Sequence, residues 1–360
     1  MIPLNKPIIN EEMVKAAMDA LTSDRLVLGE NVYKFEEEFA RYIGVDHAIA
    51  VSSGTAALHI SLLATGIKND QKVITTPNSF IATSNSILHA GAVPVFVDIE
   101  EDTGNINATL IKNMVKRYNA KVILPVHLYG HPCDMDDIME VAQKNNLMVI
   151  EDACQAHGAL YKGKKVGSIG DAGCFSFYSI KNMTVGGDGG VITTNDEKIA
   201  ERAKCLRDCG RKSKYEHVMV GFTARLNTVN AAIGRVQLKY LDKWNESRRK
   251  IAEEYRKRLP ENVLLLEKEY VKAVYHQFVI KTEKRNEIME YLRTNDIETG
   301  IHYPIPIHLQ PIYKELFLFK EGSFPVAEDF SKKVLSLPMY PELNLNEVKF
   351  ICERINEVIE

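Results

Sequence analysis

The chain has 360 residues, 45% of them hydrophobic and 26% charged, with a net charge of −3. That length supports a large core and two domains, and the near-balanced charge gives no electrostatic case for nucleic acid. The start, MIPLNKPIINEEM, lacks a basic segment followed by an apolar one, and no run of about 18 apolar residues exists, so neither a signal peptide nor a membrane span is expected.

From about residue 46 to 196, short apolar runs alternate with helical patterns. The predicted strands cover residues 47–52, 72–77, 93–99, 121–128, 147–153, 172–178 and 190–195. Between them lie segments such as 134–146, whose Met135, Ile138, Met139 and Ala142 share one helical face. Strands separated by helices predict right-handed βαβ units and a mainly parallel sheet. The last two strands are too close in sequence for a helix between them, which predicts an antiparallel part. A long helix is expected over 227–259, stopped by Pro260. Strand-like runs at 263–266 and 273–282, then helices near 286–294 and 347–359, predict a smaller α+β unit. The expected division is a large domain over 1–240 and a small one over 241–360. There are no internal repeats.

The six cysteines form no CxxC pair. Cys205 and Cys209 lie four apart in a helical pattern, but no histidine or second pair accompanies them, so they read as small packed thiols and no metal is expected. Such cysteine usage fits a reducing cytoplasm.

Three stretches can carry chemistry. Residues 52–58, SSGTAAL, follow the first strand and open a helix. Gly54 permits close backbone approach and Thr55 can cap. Unpaired first-turn N–H groups suit a phosphate there, although many helices simply start this way. Residues 151–158, EDACQAHG, close an apolar strand with acids. Asp152 there is either a helix cap or the partner of a cationic ring nitrogen. In FSFYSIKNMTVGGDGG, residues 175–190, Lys181 stands between an apolar run and a glycine cluster. Surface lysines are the rule, but a lysine desolvated near strand ends becomes a nucleophilic amine. A phosphate cradle, a strand-end carboxylate and a lysine together suit pyridoxal 5'-phosphate. A dinucleotide site fits less well, because no GxGxxG follows the first strand.

With these stretches, TTPNSFIATSNSILHAGAVPVFVDIE, ARLNTVNAAIGRVQL, GIHYPIPIHLQP and LSLPMYP, the chain resembles the DegT/DnrJ/EryC1/StrS family of pyridoxal-phosphate-dependent sugar aminotransferases over nearly its whole length. The resemblance implies the fold-type I α/β architecture: a mostly parallel mixed sheet in a large domain and a smaller C-terminal α+β domain. It implies that Lys181 forms the Schiff base, that Asp152 pairs with the pyridine nitrogen and that Gln155 faces the phenolic oxygen. Phe80 matches the aromatic stacked on the ring, and Gly54, Thr55 and Ser176 match phosphate contacts. His157, His302, Tyr303 and His308 fall in motifs of the substrate side; each histidine has an alternative as a hydrogen-bonded structural residue, and for His308 the two readings weigh about equally. The implied substrates are a nucleotide-linked keto-deoxysugar and glutamate or glutamine, in a homodimer with shared sites. Two departures stand out. Thr223 in GFTARL replaces an asparagine that reaches the neighbouring subunit's phosphate, and GGDGG carries Asp188 where many 4-aminotransferases have Glu. With FYSIKN and HYPIPIHLQP, the Asp form leans toward amination at C-3 rather than C-4. A dehydratase on the same scaffold is the alternative, but its members have histidine where this chain has Lys181. A non-catalytic regulator is the other, and Lys181 with Asp152 argues against it.

Overall fold

The computed structural model describes residues 1–359. In chain order the strands are β1 (His47–Val51), β2 (Lys72–Thr75), β3 (Val93–Phe96), β4 (Val122–Ile123), β5 (Met148–Asp152), the short hairpin β6 (Leu160–Tyr161) and β7 (Lys164–Lys165), β8 (Ala172–Ser176), β9 (Gly190–Thr194), β10 (Val271–Lys272), β11 (Phe278–Lys281) and β12 (Val334–Leu337). Seven of them form the central sheet in the order β1-β9-β8-β5-β4-β2-β3. The steps from β8 through β5, β4 and β2 to β3 are parallel, while β9 runs antiparallel to both β8 and β1. The expected mixed, mostly parallel sheet is therefore present.

The period-two alternation of strands sorts side chains into two layers. Ala50, Val149, Phe175 and Val191 join one core with Phe35 and Phe39 of the Glu30–Ile43 helix. Their sequence neighbours Ile49, Ile150, Cys174 and Ile192 join the opposite core with Leu58 and Leu62 of the Gly54–Ala64 helix. Helices thus cover both faces, and the carboxyl ends of the parallel strands open on one edge.

The predicted long helix is Thr228–Arg258; Leu259 turns extended before Pro260, as a pre-proline residue must. One half packs on the Glu11–Ser23 and Glu30–Ile43 helices, and the helix also packs against Leu345–Ile359. Around its end a separate core gathers Tyr255, Phe278, Ile288, Leu335 and Ile351, with β11 and β12 paired antiparallel.

Three expectations change. The strand predicted over 121–128 shrinks to β4, because Pro125 has no N–H for the ladder. The run at 263–266 is a short 3-10 turn, Glu261–Val263, followed by a single bridge from Leu264 to Ile280. Within 273–282 only β11 is strand.

Candidate active site

A pocket of about 480 Å³ opens at the carboxyl edge of the sheet. Several strand ends contribute residues, as expected for an open α/β sheet. Ser53, Gly54 and Thr55 follow β1; Phe80 and Thr83 follow β2; Asp152, Cys154 and Gln155 end β5; Ser176 ends β8, with Lys181 after it. His276, Gln277, His302 and Tyr303 close the pocket from the C-terminal part of the chain. Nine of the eleven predicted site residues line this one cavity: Gly54, Thr55, Phe80, Asp152, Gln155, Ser176, Lys181, His302 and Tyr303.

The helix start is built tightly. Ser53, rather than Thr55, is the N-cap: its hydroxyl accepts from the Ala56 N–H at 3.1 Å. Thr55 is left facing the pocket. A Cβ on Gly54 would stand 2.6 Å from the Ser176 Cβ, so only glycine lets the helix start lie against the end of β8. With Ala56 capped by Ser53, the Gly54 and Thr55 N–H groups have no intrahelical acceptor and carry the positive end of the helix dipole.

Asp152 is 4% exposed. One carboxylate oxygen accepts from the Thr83 hydroxyl at 2.7 Å, the other from the Cys154 N–H at 3.2 Å. Lys181 is partly buried, and among the described residues its amine has no carboxylate within 4.0 Å. Burial lowers its pKa, against a pull upward from Cys154 and Asp152. Desolvation without an ion pair favours the free, nucleophilic amine. Phe80 is 55% exposed and stands 6.1 Å from the Tyr303 ring, centroid to centroid. His302 bonds the Ser336 hydroxyl through Nδ1 at 2.8 Å, and burial with the nearby Lys181 lowers its pKa to about 4.

Two predicted substrate residues are elsewhere. His157 is fully buried behind the pocket, its ring 5.4 Å from Phe175 and 5.6 Å from Phe177. His308 is also fully buried, paired with Glu328 Oε1 at 2.9 Å and packed on Phe324. For His308 the structural alternative, a hydrogen-bonded residue, describes its surroundings; His157 is packed between the two rings with neither ring nitrogen hydrogen-bonded. Thr223 is exposed, with its hydroxyl 3.4 Å from Cys209 Sγ, and does not line the pocket. Cys205 and Cys209 are free thiols, and no cluster of metal-ligating residues exists among those described.

Several pocket residues escaped the sequence reading. Thr83 lies 69 positions from the carboxylate it holds. His276 is 3% exposed on the pocket wall with Nδ1 unpartnered, and burial and the nearby Lys181 lower its pKa well below the usual value. Behind Asp152, the fully buried Glu151 accepts from His127 Nε2 at 3.0 Å and from the N–H groups of Gly167, Ile169 and Gly170 at 2.8 Å each. His127 N–H in turn donates to the Asp152 carbonyl at 3.0 Å. The only sequence signal for this lock was the acidic pair itself.

The residues present fit pyridoxal phosphate: a helix start with free N–H groups and two hydroxyls at one end, a carboxylate held by neutral donors, an unpaired amine and an aromatic face. No helix among the described residues is long and apolar enough to cross a membrane.

The model of the DegT/DnrJ/EryC1/StrS aminotransferase family matches residues 7–356. The chain is 42% identical to a pleiotropic regulatory protein of Geobacillus stearothermophilus, covering 97% of this chain and 95% of that one. It is 38% identical to the dTDP-3-amino-3,4,6-trideoxy-alpha-D-glucose transaminase of Streptomyces venezuelae, over 97% and 94% of the two chains. The pyridoxal-phosphate form of Spr1654 from Streptococcus pneumoniae superposes with a TM-score of 0.93 at 27% identity, covering 99% of this chain and 98% of that one. With a matching family model along nearly its full length and a pocket of the right chemistry, the chain belongs to the DegT/DnrJ/EryC1/StrS aminotransferase family and is a pyridoxal-phosphate-dependent aminotransferase.

Proposed function

We propose that the enzyme moves an amino group from glutamate, or glutamine, to a keto-deoxysugar linked to a nucleotide, with C-3 the favoured carbon. The observation that carries this reading is the unpaired Lys181 amine in one pocket with Asp152 and the Gly54–Thr55 helix start. The Streptomyces venezuelae relative, a 3-amino-sugar transaminase by name, supports the substrate class and the carbon.

Bound here, pyridoxal phosphate supplies an electron sink for negative charge developing on the amino donor's Cα. The first-turn N–H groups, with the Thr55 and Ser176 hydroxyls, bind the phosphate. Asp152 holds a proton on the ring nitrogen, an ion pair that Thr83 and the Cys154 N–H orient. Phe80 offers its face to the ring. Lys181 Nζ, with its pKa lowered by burial, takes the proton from the donor's Cα and returns a proton on the sugar side. His302 and Tyr303 belong to the substrate side of the pocket.

A homodimer fits an exposed apolar segment. Residues 211–223 carry Tyr215, Val218 and Val220 at 83%, 49% and 88% exposure. Such a patch suits a second copy. The separate core around Tyr255 and Phe278 supports a small domain over 241–360 beside the large one over 1–240. Six free cysteines agree with a cytoplasmic setting. The test is release of the matching 2-oxo acid when the protein receives L-glutamate or L-glutamine together with a nucleotide-linked keto sugar. No release from either donor with any keto sugar in a 3-keto and 4-keto panel rejects the reading.

A further inference from the structure

Gln155 and Tyr303 are 148 positions apart and meet at the pocket wall, where Gln155 Nε2 donates to the Tyr303 hydroxyl at 3.1 Å. The direction of that bond is fixed from behind. The other end of the same amide, Oε1, receives the main-chain N–H of Tyr129 at 2.7 Å. A main-chain N–H only donates, so the amide oxygen must face Tyr129 and the amide nitrogen must face Tyr303. An NH₂ group also only donates. The phenolic oxygen therefore accepts, and its own hydrogen is left over for the cavity.

The anchor is rigid. Tyr129 is 4% exposed, takes a left-handed φ of 59°, and its hydroxyl donates to the His302 carbonyl oxygen. The adjacent Leu128 N–H is held by Asn105 Oδ1 at 3.1 Å. Burial, with Asp152 and Cys154 nearby, raises the Tyr303 pKa, so the hydrogen stays on the oxygen at neutral pH. A neutral hydroxyl donor suits a neutral acceptor, whereas a carboxylate is better served by charged donors. A ketone oxygen is such an acceptor, and it gains negative charge as an amine adds to its carbon. A donor already aimed at that position stabilises the transition state without reorganisation.

Resting on the aminotransferase reading above, we infer that Tyr303 donates a hydrogen bond to the keto oxygen of the sugar substrate, and that Tyr129 sets the direction of this bond through Gln155. Tyr303 touches substrate; Gln155 and Tyr129 act on it as positioning residues.

The two half-reactions separate this idea from the reading it rests on. With full-length enzyme, the donor half is started on the pyridoxal-phosphate form with L-glutamate, and the sugar half on the pyridoxamine-phosphate form with 3-keto and 4-keto dTDP-6-deoxyhexoses, each followed by the cofactor's absorbance in single turnovers. Tyr303→Phe is expected to slow the sugar half about tenfold or more and to leave the donor half within about threefold. Apoenzyme of the same variant is expected to bind pyridoxal phosphate within about threefold of wild type, since the hydroxyl serves the sugar. Gln155→Glu turns the Tyr303 hydrogen toward the new carboxylate. Its ratio of sugar-half to donor-half rate should fall as in Tyr303→Phe, and the double variant should show no further fall in that ratio. Equal slowing of both halves in Tyr303→Phe, or a loss of about tenfold in its cofactor affinity, overturns the inference. A wild-type protein whose donor half fails with both glutamate and glutamine rejects the aminotransferase reading instead.

Discussion

Thr83 donates its hydroxyl hydrogen to Asp152 Oδ2 at 2.7 Å, and the Ser79 hydroxyl sits 2.8 Å behind it. The carboxylate is therefore steered by neutral groups, which leaves its charge available to a cationic partner in the pocket. Asp152→Asn removes that charge while keeping the shape. Breaking one side of a buried ion pair costs about 3–5 kcal/mol, so turnover should fall by two orders of magnitude or more while the cofactor stays bound through its phosphate. Unchanged kinetics and an unchanged cofactor spectrum would reduce Asp152 to a structural acid. Thr83→Val, which deletes only the steering bond, should cost about 1 kcal/mol in kcat/KM.

Lys181→Ala should abolish transamination and leave the fold intact, because the side chain makes no ion pair among the described residues and packs little core. Purified variant should hold pyridoxal phosphate without a covalent link, so borohydride should fix no cofactor to it. Turnover near that of wild type would remove Lys181 from the mechanism.

Gly54→Ala probes the helix start. Its Cβ would meet the Ser176 Cβ at 2.6 Å and Cys154 Sγ at 3.0 Å. Overpacking of this kind costs about 1–3 kcal/mol. The expected outcome is a lower unfolding midpoint in urea together with weaker binding of pyridoxal phosphate to the apoenzyme. Wild-type values for both would mean that the helix start is looser than its packing implies.

Buried neutral histidines predict acid lability. Burial lowers the pKa of His157 to about 3 and of His302 to about 4, from an ordinary 6.5, with the nearby Lys181 adding to both shifts. The unfolded chain therefore binds more protons than the native one between about pH 4 and 6.5. Stability contributed this way is complete above 6.5 and is lost as pH falls toward 4, by about 1.4 kcal/mol per pH unit for each histidine. Urea unfolding of the apoenzyme across this window should show that slope, and His157→Leu should flatten it by about one histidine's share. A variant with an undiminished slope would place the titration elsewhere.

Much of this site could be read in the sequence because its strongest signals are local. Lys181 beside the glycine cluster, Asp152 at a strand end and SSGT at a helix start each announce themselves within a few residues. What could not be read depends on contacts across the chain. Thr83 and Tyr129 take their meaning from Asp152 and Gln155, and nothing near them in sequence says so. A histidine in a motif looks the same whether it faces a pocket, as His302 does, or fills a core between phenylalanines, as His157 does. The fold divided likewise. Alternating strands and helices of the central sheet carry clear periods, while the short apolar run at 263–266 suits a strand or a turn equally until Ile280 is placed beside Leu264.

Under the proposed function, the choice of carbon would follow from pocket shape beside His302 and Tyr303, since the ketone must reach the cofactor while the nucleotide stays anchored. A 3-keto nucleotide sugar should be used at least tenfold better in kcat/KM than its 4-keto isomer, a tenfold ratio being a difference of about 1.4 kcal/mol. Measurement of both isomers with one nucleotide, at one pH and one donor concentration, decides it. A 4-keto preference would remove the C-3 assignment and leave the transaminase intact.

The most direct test of the central claim follows the nitrogen itself. Purified holoenzyme is incubated with amine-labelled L-glutamate or L-glutamine and a panel of 3-keto and 4-keto nucleotide sugars, and the products are read by mass spectrometry. The expected product is an amino sugar that carries the label, formed by wild type and absent with Lys181→Ala. A sugar product that has lost water without gaining nitrogen, or no labelled sugar from any member of the panel, would contradict it.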